Sequence, residues 1–314
     1  MNKNILITGI SGFVGQNLVK YFSSYEIYTL YGLDIVYDDI SGVDKIYSWD
    51  QLEDLKDIDV VIHLAGKAHD LKNTSDEKSY FDVNYGLTKK VFDWYHKSSA
   101  TQFLMMSSVK AVADIVSGEL TEEFLPNPIT AYGKSKIKAE DYLNSIVLPE
   151  NKNLYIFRPA MIHGPGNKGN LNLLYNLVSK GIPWPLASFE NKRSFVSVAN
   201  LCFIFKSFID RDINSGTYNI ADEKWLSTNK LIEIISQGVG RKPRLWYFPK
   251  SVVIFMAKLG DVLHLPLNTE RLNKLTEDYV VSTTKLQAVL GVNLPHDAEV
   301  GIKNTISSFS DKTI

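Results

Sequence analysis

Tyr132 and Lys136 stand four residues apart in the run Ala131-Tyr-Gly-Lys-Ser-Lys136. On a helix that spacing puts both side chains on one face. A free tyrosine is ionised to only about one part in a thousand at pH 7. An ammonium about 5 Å away favours the phenolate by roughly 3 kcal/mol at an effective dielectric of 20, or about two pKa units. The pair is therefore a candidate proton-transfer device at neutral pH. Ser107 and Ser108 close an apolar run that begins at Gln102. A hydroxyl there can bond both a substrate oxygen and the phenol. Ser108 is assigned that task, and Ser107 the satisfaction of strand-end backbone groups.

Three glycines supply the partner for that chemistry. Gly9, Gly12 and Gly15 recur at every third position from the end of the apolar run Asn4–Thr8 into the helical pattern Phe13–Phe22. The first permits a tight strand-to-helix turn and the second lets backbone approach a pyrophosphate. The third lets the helix pack on its strand. The helix start, with Phe13 and Val14, then offers free N–H groups to an anion. Asp34 follows about twenty residues later at the end of the run Ile27–Leu33. A carboxylate there accepts the two ribose hydroxyls of NAD and repels a 2′-phosphate, so NADP is disfavoured; the alternative is a solvated turn aspartate. Leu64, Ala65 and Gly66 end the run that starts at Val60, and the small residues allow close approach of backbone to the dinucleotide. Asn84 lies in the helical pattern 78–98, either at the cofactor or tying neighbouring loops together. Lys136 is in position to donate to the nicotinamide ribose as well as to tune Tyr132.

Elements must hold these groups in place. Short apolar runs at Asn4–Thr8, Ile27–Leu33, Val60–Leu64, Gln102–Ser107, Leu154–Arg158 and Thr217–Ile220 alternate with helical patterns near 13–23, 78–98 and 131–147. The alternation predicts an α/β protein with a Rossmann-type doubly wound parallel sheet. After Arg158 the rhythm loosens into turn clusters, Gly164-Pro165-Gly166 and Gly181-Ile182-Pro183-Trp184-Pro185, and then helices. This predicts a smaller, mostly helical C-terminal substrate domain across the carboxyl ends of the strands. The division expected is 1–165 with about 190–220 for the NAD-binding part, and about 166–189 with 221–314 for the other.

Bulk properties exclude several classes. The 314 residues carry a formal charge of −1 and 45% hydrophobic residues, which gives neither a nucleic-acid footprint nor a polybasic patch. The single cysteine, Cys202, precludes an internal disulfide and reads as a buried thiol, consistent with a cytoplasmic protein. The N-terminus runs straight into a strand pattern, so no signal peptide is expected. The apolar stretch Ser251–Leu265 is interrupted by Lys258 and Asp261 and is too short to span a bilayer. It reads as a core or interface helix, or as a helix lying on a membrane surface. The six histidines show no metal-ligand spacing, so no metal is expected. Neither serine sits in a nucleophile elbow.

Together these motifs make the chain resemble the extended short-chain dehydrogenase/reductase family, in its NAD-dependent epimerase/dehydratase branch. The glycine loop, His63-Leu64-Ala65, Asn84, Ser107-Ser108, Tyr132/Lys136 and Arg158-Pro159 followed by His163-Gly164-Pro165-Gly166 carry the likeness. It implies that Arg158 and Pro159 border the cofactor and that the substrate is a nucleotide-diphosphate sugar, most often UDP-linked. Arg193 matches the position that grips the diphosphate. Lys168 and Asn170 are further contacts or plain loop residues. His69 faces the sugar or solvent. Lys110 reaches the substrate or forms a salt bridge at the rim. Val109-Lys110 replaces the Asp-Glu pair of 4,6-dehydratases, which argues against dehydration. Ala111-Val112-Ala113 and Asn200 depart from the usual residues. The resemblance also implies a homodimer, formed through the Tyr132 helix and the one near 84–98.

The second half resembles enzymes acting at carbon 4 of UDP-N-acetylhexosamines. The leading expectation is a 4-epimerase working through a transient 4-keto sugar. The alternative is an NAD(P)H-dependent 4-keto-6-deoxy-sugar reductase of polysaccharide biosynthesis. A dinucleotide-sensing protein without turnover is the third reading.

Overall fold

Alternation of side chains along each strand sends Ile5 and Ile7 to one face of the central sheet and Leu6 to the other. Both faces are apolar because both are covered, as a parallel sheet requires. The computed structural model describes residues 2–36, 38–67, 76–167, 169–263 and 267–310. Its strands are β1 Lys3–Thr8, β2 Tyr28–Leu33, β3 Lys45–Tyr47, β4 Val60–His63, β5 Gln102–Met106, β6 Glu119–Leu120, β7 Asn153–Pro159, β8 Met161–His163, β9 Phe195–Ser197, β10 Gly216–Ile220 and β11 Val280–Val281. The helices are α1 Phe13–Phe22, α2 Glu77–Tyr80, α3 Thr88–Lys97, α4 Ala131–Ser145, α5 Asn170–Ser179, α6 Val198–Asp210, α7 Thr228–Gly238, α8 Lys250–Leu263, α9 Thr269–Thr276, α10 Thr284–Leu290 and α11 Ala298–Ser310. A π-helical stretch, Phe81–Leu87, joins α2 to α3.

Seven strands pair in the order β10-β7-β5-β4-β1-β2-β3, and every pair is parallel. The order reverses between β1 and β4, so the carboxyl ends of these two strands flank the crevice where such sheets take ligands. On one face α1 and α6 pack Phe22, Phe205 and Phe208 against Ile5, Ile7 and Phe157. On the other, α3 and α4 pack Phe92, Tyr95 and Leu143 against Leu6, Val61 and Phe103. Cys202 is buried in the first of these layers, and burial pushes its thiol up to about 12.

The six expected strands all occur, with ends shifted by a residue. Strand β3 was not expected: three residues at the sheet edge, none of them buried, leave no apolar run to read. A second apolar cluster joins α5, α7, α8 and α11 through Leu171, Ile232, Ile235, Val253, Ala257 and Ile302. One helix breaks the expected division of the chain. Leu286 and Leu290 of α10 pack with Tyr218 and Ile220 of β10, so residues inside the expected substrate part cover the open edge of the sheet. Among the described residues no helix is long and apolar enough to cross a membrane.

Candidate active site

The glycine loop closes on the end of β4. Gly9 adopts φ +69°, and a Cβ there would stand 2.8 Å from the Ala65 nitrogen, so only glycine lets the two turns meet. A Cβ on Gly15 would lie 2.5 Å from the Ile10 carbonyl oxygen. Gly12 is exposed and caps α1 without any side-chain hydrogen bond, which leaves the first N–H groups of the helix available. Phe13 and Val14 pack partly into the first core layer, and Phe13 lies beneath the turn at Gly164 and Gly166. Leu64 packs against the same layer. These features form a cradle in which the strand ends and an open helix terminus converge, and they fit a dinucleotide.

Asp34 is 6% exposed and so is no solvated turn residue. Its Oδ2 accepts from the Ser11 backbone N–H at 2.9 Å and the Ser11 hydroxyl at 2.8 Å, and its Oδ1 accepts from the Ile35 N–H. The carboxylate thus ties the end of β2 to the glycine loop, with Ser11 as a partner that sequence reasoning missed.

Behind the loop runs a buried chain of hydrogen bonds. The Ala65 N–H donates to the Thr8 hydroxyl, which pairs with His63 Nδ1 at 2.8 Å. His63 Nε2 pairs with the Thr88 hydroxyl at 2.9 Å, and that hydroxyl donates to the Asn84 carbonyl. Because the Thr88 proton is committed to Asn84, the chain is satisfied throughout only when His63 is neutral with its proton on Nε2. Burial, with Lys136 nearby, holds the imidazole down at about 3. The unfolded chain takes up a proton near pH 6.5 while the folded chain does not, so stability is lost as pH falls below 6.5. We expect His63 to cost about 2 kcal/mol between pH 7 and pH 5. Denaturant midpoints at the two pH values, with and without His63→Gln, measure it.

Asn84 is fully buried and spends its side chain on the protein. Its Oδ1 accepts from the Lys67 N–H at 2.7 Å, and its Nδ2 donates to the Lys67 carbonyl and to the Ser135 hydroxyl at 2.9 Å. Of its two readings, the tie between loops is the one observed: it joins the turn after β4 to α4. A Cβ on Gly66 would lie 3.0 Å from both Asn84 Oδ1 and Lys136 Nζ, so that glycine leaves the ammonium room beside the loop.

Tyr132 and Lys136 occupy the first turns of α4, whose N-cap Thr130 accepts from the Gly133 N–H. A Cβ at Gly133 would stand 2.3 Å from the Lys110 carbonyl oxygen. This contact presses α4 onto the turn Val109–Ala111 and brings the phenol to Ser108, to which it is hydrogen-bonded. Gly133→Ala is expected to cost about 1–3 kcal/mol through overpacking, read as a lowered denaturant midpoint. Ser107 instead donates to Glu140. The Tyr132 ring meets Tyr80 edge-on, with centroids 6.2 Å apart, an orienting contact that the sequence did not announce.

The electrostatics correct the simple ion-pair expectation. Burial pushes the Tyr132 phenol above its ordinary value, and the Ser108 hydrogen bond only partly offsets this. Burial also pulls Lys136 down to about 8, with Glu140 acting against it. The Lys136 ammonium donates to the Met106 carbonyl at 3.0 Å. Desolvation therefore sets the direction of both shifts, up for the phenol and down for the ammonium.

Two further candidates are held by the protein's own groups. Arg158 was expected at the cofactor, but its guanidinium is engaged by fully buried Glu140, Nη2 to Oε2 at 2.6 Å and Nε to Oε2 at 3.0 Å. Tyr132, Lys136 and Glu140 fall at i, i+4 and i+8 on α4, a pattern that could have identified Glu140. Lys110 was expected to reach a substrate or a rim carboxylate. Its ammonium instead donates to the Asp114 carbonyl at 2.7 Å and lies 4.3 Å from the centroid of the Tyr279 ring. Tyr279, also missed, donates to the Ala113 carbonyl at 2.7 Å, while Ser194 N–H donates to the Tyr279 carbonyl, so the Ser108 turn is fastened to the Arg193 segment. Arg193 is paired with the Lys274 carbonyl at 3.1 Å and with Glu277 at 3.4 Å.

Pro159 ends β7 in a buried position. Asn170 opens α5. His69 and Lys168 lie outside the described residues. Asn200, in place of the usual aspartate, bridges Asp222 and the His296 backbone, a structural use of the amide.

Comparison with known proteins agrees with this geometry. Residues 5–221 match the NAD dependent epimerase/dehydratase family. A UDP-glucose 4-epimerase of Vibrio cholerae is 31% identical, over 98% of this chain and 96% of its own length. An N-acetyl-α-D-glucosaminyl-diphospho-ditrans,octacis-undecaprenol 4-epimerase of Escherichia coli O157:H7 is 27% identical, over 91% of this chain and 85% of its own. The crystal structure of a UDP-N-acetylglucosamine 4-epimerase from Bacillus cereus shares the fold, with a TM-score of 0.76 at 20% identity over 97% and 98% of the two chains. With the glycine cradle at the end of β1 and the tyrosine–lysine pair on α4, these matches make the chain an enzyme of the NAD-dependent epimerase/dehydratase family.

Proposed function

We propose that this enzyme is an NAD-dependent 4-epimerase of a UDP-hexose or UDP-N-acetylhexosamine. The observation that carries the reading is Tyr132 on α4 hydrogen-bonded to Ser108, with Lys136 one turn on against Gly66 in the turn that meets the glycine loop. The relatives of Vibrio cholerae and Escherichia coli O157:H7, both 4-epimerases, support it. Gly9, Gly12, Phe13, Val14 and Gly15 cradle the dinucleotide, with Asp34, Leu64–Gly66 and Pro159 along its course. Bound NAD would supply the hydride acceptor for carbon 4 and, once the 4-keto sugar has turned its other face, the hydride donor that yields the 4-epimer. Tyr132 accepts the proton of the 4-hydroxyl and gives it back, while Ser108 holds the same oxygen. Lys136 presents its ammonium to the cofactor side of the phenol, and Arg193 turns from Glu277 to the diphosphate. The same reading includes a homodimer, action in the cytoplasm and a place in polysaccharide biosynthesis. The test offers purified enzyme UDP-glucose, UDP-N-acetylglucosamine and a polyisoprenyl-diphosphate N-acetylglucosamine without added cofactor. Formation of the 4-epimer supports the reading. Turnover only of 4-keto sugars with added NADPH contradicts it.

Lys136 should show that this site is held against the interest of the fold. Its folded pKa of about 8 lies below the ordinary 10.5, so below pH 8 the folded protein carries a charge that burial penalises. The penalty is roughly 3 kcal/mol and is relieved as pH rises from 8 to 10.5. Loss of the bond to Met106 returns about 1 kcal/mol. Lys136→Met is therefore expected to stabilise the protein by roughly 2 kcal/mol at pH 7, and that gain should disappear above pH 10.5. Urea unfolding across this range checks both statements.

A further inference from the structure

Helix α8 has two apolar faces, and the described residues cover only one. Val253, Ala257 and Gly260 are buried, against the second core cluster and the Leu267 backbone. Val252, Phe255, Met256, Leu259, Val262 and Leu263 form a second stripe at spacings of three and four. At 100° per residue they occupy an arc of about 120°. Phe255, Met256, Val262 and Leu263 are each more than half exposed, up to 73%, as are Trp246 and Tyr247 just before the helix. Single exposed apolar residues are ordinary, but a continuous stripe of this kind marks a surface meant to be covered.

The charges around it identify the cover. Between 241 and 261 stand Arg241, Lys242, Arg244, Lys250 and Lys258, against one carboxylate, Asp261, in a chain whose net charge is −1. Asp261 accepts from the Thr269 N–H and hydroxyl at the start of α9. Arg241, Lys242 and Arg244 line a cavity of about 300 Å³ with Ser236, whose buried hydroxyl has no hydrogen-bond partner among the described residues. A second copy of the chain docking through the segment 241–263 would bring the same cations toward each other. An anionic lipid surface complements them, accepts the apolar stripe, and suits Trp246 and Tyr247, whose rings favour the boundary between water and acyl chains.

We propose that the segment 241–263 docks this enzyme on an anionic bilayer, with α8 lying in the plane of the interface and Arg241, Lys242 and Arg244 meeting lipid phosphates. The proposal does not rest on the catalytic reading. It is tested by co-sedimentation of the full chain with phosphatidylglycerol/phosphatidylethanolamine vesicles and with pure phosphatidylcholine vesicles. Binding is expected to the first and to be at least tenfold weaker to the second. Phe255→Asp combined with Val262→Asp should lower binding at least tenfold. Each of Arg241→Gln and Lys242→Gln should lower it about fivefold, and salt should do the same. The variants should keep the wild-type thermal midpoint, which separates lost docking from lost folding. Failure of the wild type to sediment, or undiminished sedimentation of the double variant, would overturn the proposal. So would a wild-type dimer that ignores vesicles and falls to monomer on Phe255→Asp/Val262→Asp, because the face would then belong to a second copy.

Discussion

Tyr132→Phe is expected to lower kcat by about two to four orders of magnitude, the range associated with loss of a positioned acid–base group. The substitution keeps the ring that packs edge-on against Tyr80 and removes only the hydroxyl bonded to Ser108. Stability should therefore change little, and the loss should appear in kcat rather than in the unfolding midpoint. The pH profile of the wild type adds an independent signature. Burial raises the phenol, so the basic form is scarce at pH 7 and the rate should climb with pH. Near pH 8 Lys136 gives up its proton, the phenolate loses its neighbouring charge, and the climb should stop. A rate independent of pH between 6 and 8 would count against the assignment.

Glu140→Gln should be the most destabilising single change at the site. It leaves the Arg158 guanidinium, 6% exposed, without its counter-charge beneath α4. Removing one member of such a pair costs about 3–5 kcal/mol, whereas replacing both by apolar groups is much better tolerated. Glu140→Met with Arg158→Met is therefore expected to recover most of the lost stability, as measured by urea unfolding. Activity should not recover with it. Glu140 holds the Lys136 pKa up against burial, so the double variant should turn over at a pH below the wild-type break near 8. Recovery of both stability and the wild-type pH profile would show the pair to be structural only.

The parts of this site that were legible in the sequence are those encoded over a few residues. Gly9, Gly12 and Gly15 announce a strand-turn-helix cradle because each answers a local steric demand. Tyr132 and Lys136 declare a shared face because a helix fixes the angle between them. Core strands read clearly because burial on both faces leaves uniformly apolar runs, whereas edge strand β3, with no buried residue, does not. The partners that came as findings lie far along the chain. Tyr279 reaches the Val109 carbonyl across 170 residues, and Ser107 reaches Glu140 across 33. A local period can place Glu140 on the Tyr132 face of α4, but not name the groups it meets across the chain. Sequence separation also explains why Glu140 was not read as the partner of Arg158, and why the Tyr279 ring was not read as a partner of Lys110, although the Asp114 carbonyl that Lys110 meets is close in the chain. A cation near a predicted site looks available until the acid or carbonyl that holds it is known. The uncovered stripe of α8 was ambiguous for another reason, since an apolar helix pattern does not say which of its faces the protein itself will bury.

The most direct measurement follows the hydrogen at carbon 4. UDP-glucose or UDP-N-acetylglucosamine carrying deuterium at that carbon would be incubated with the enzyme in ordinary water, with no added cofactor, and the product analysed by mass spectrometry and NMR. If Tyr132 moves only the hydroxyl proton, the 4-epimer should form with its carbon-4 deuterium retained, and the Tyr132→Phe protein should form almost none. Exchange of that deuterium into water, or equal turnover by the variant, would contradict the account.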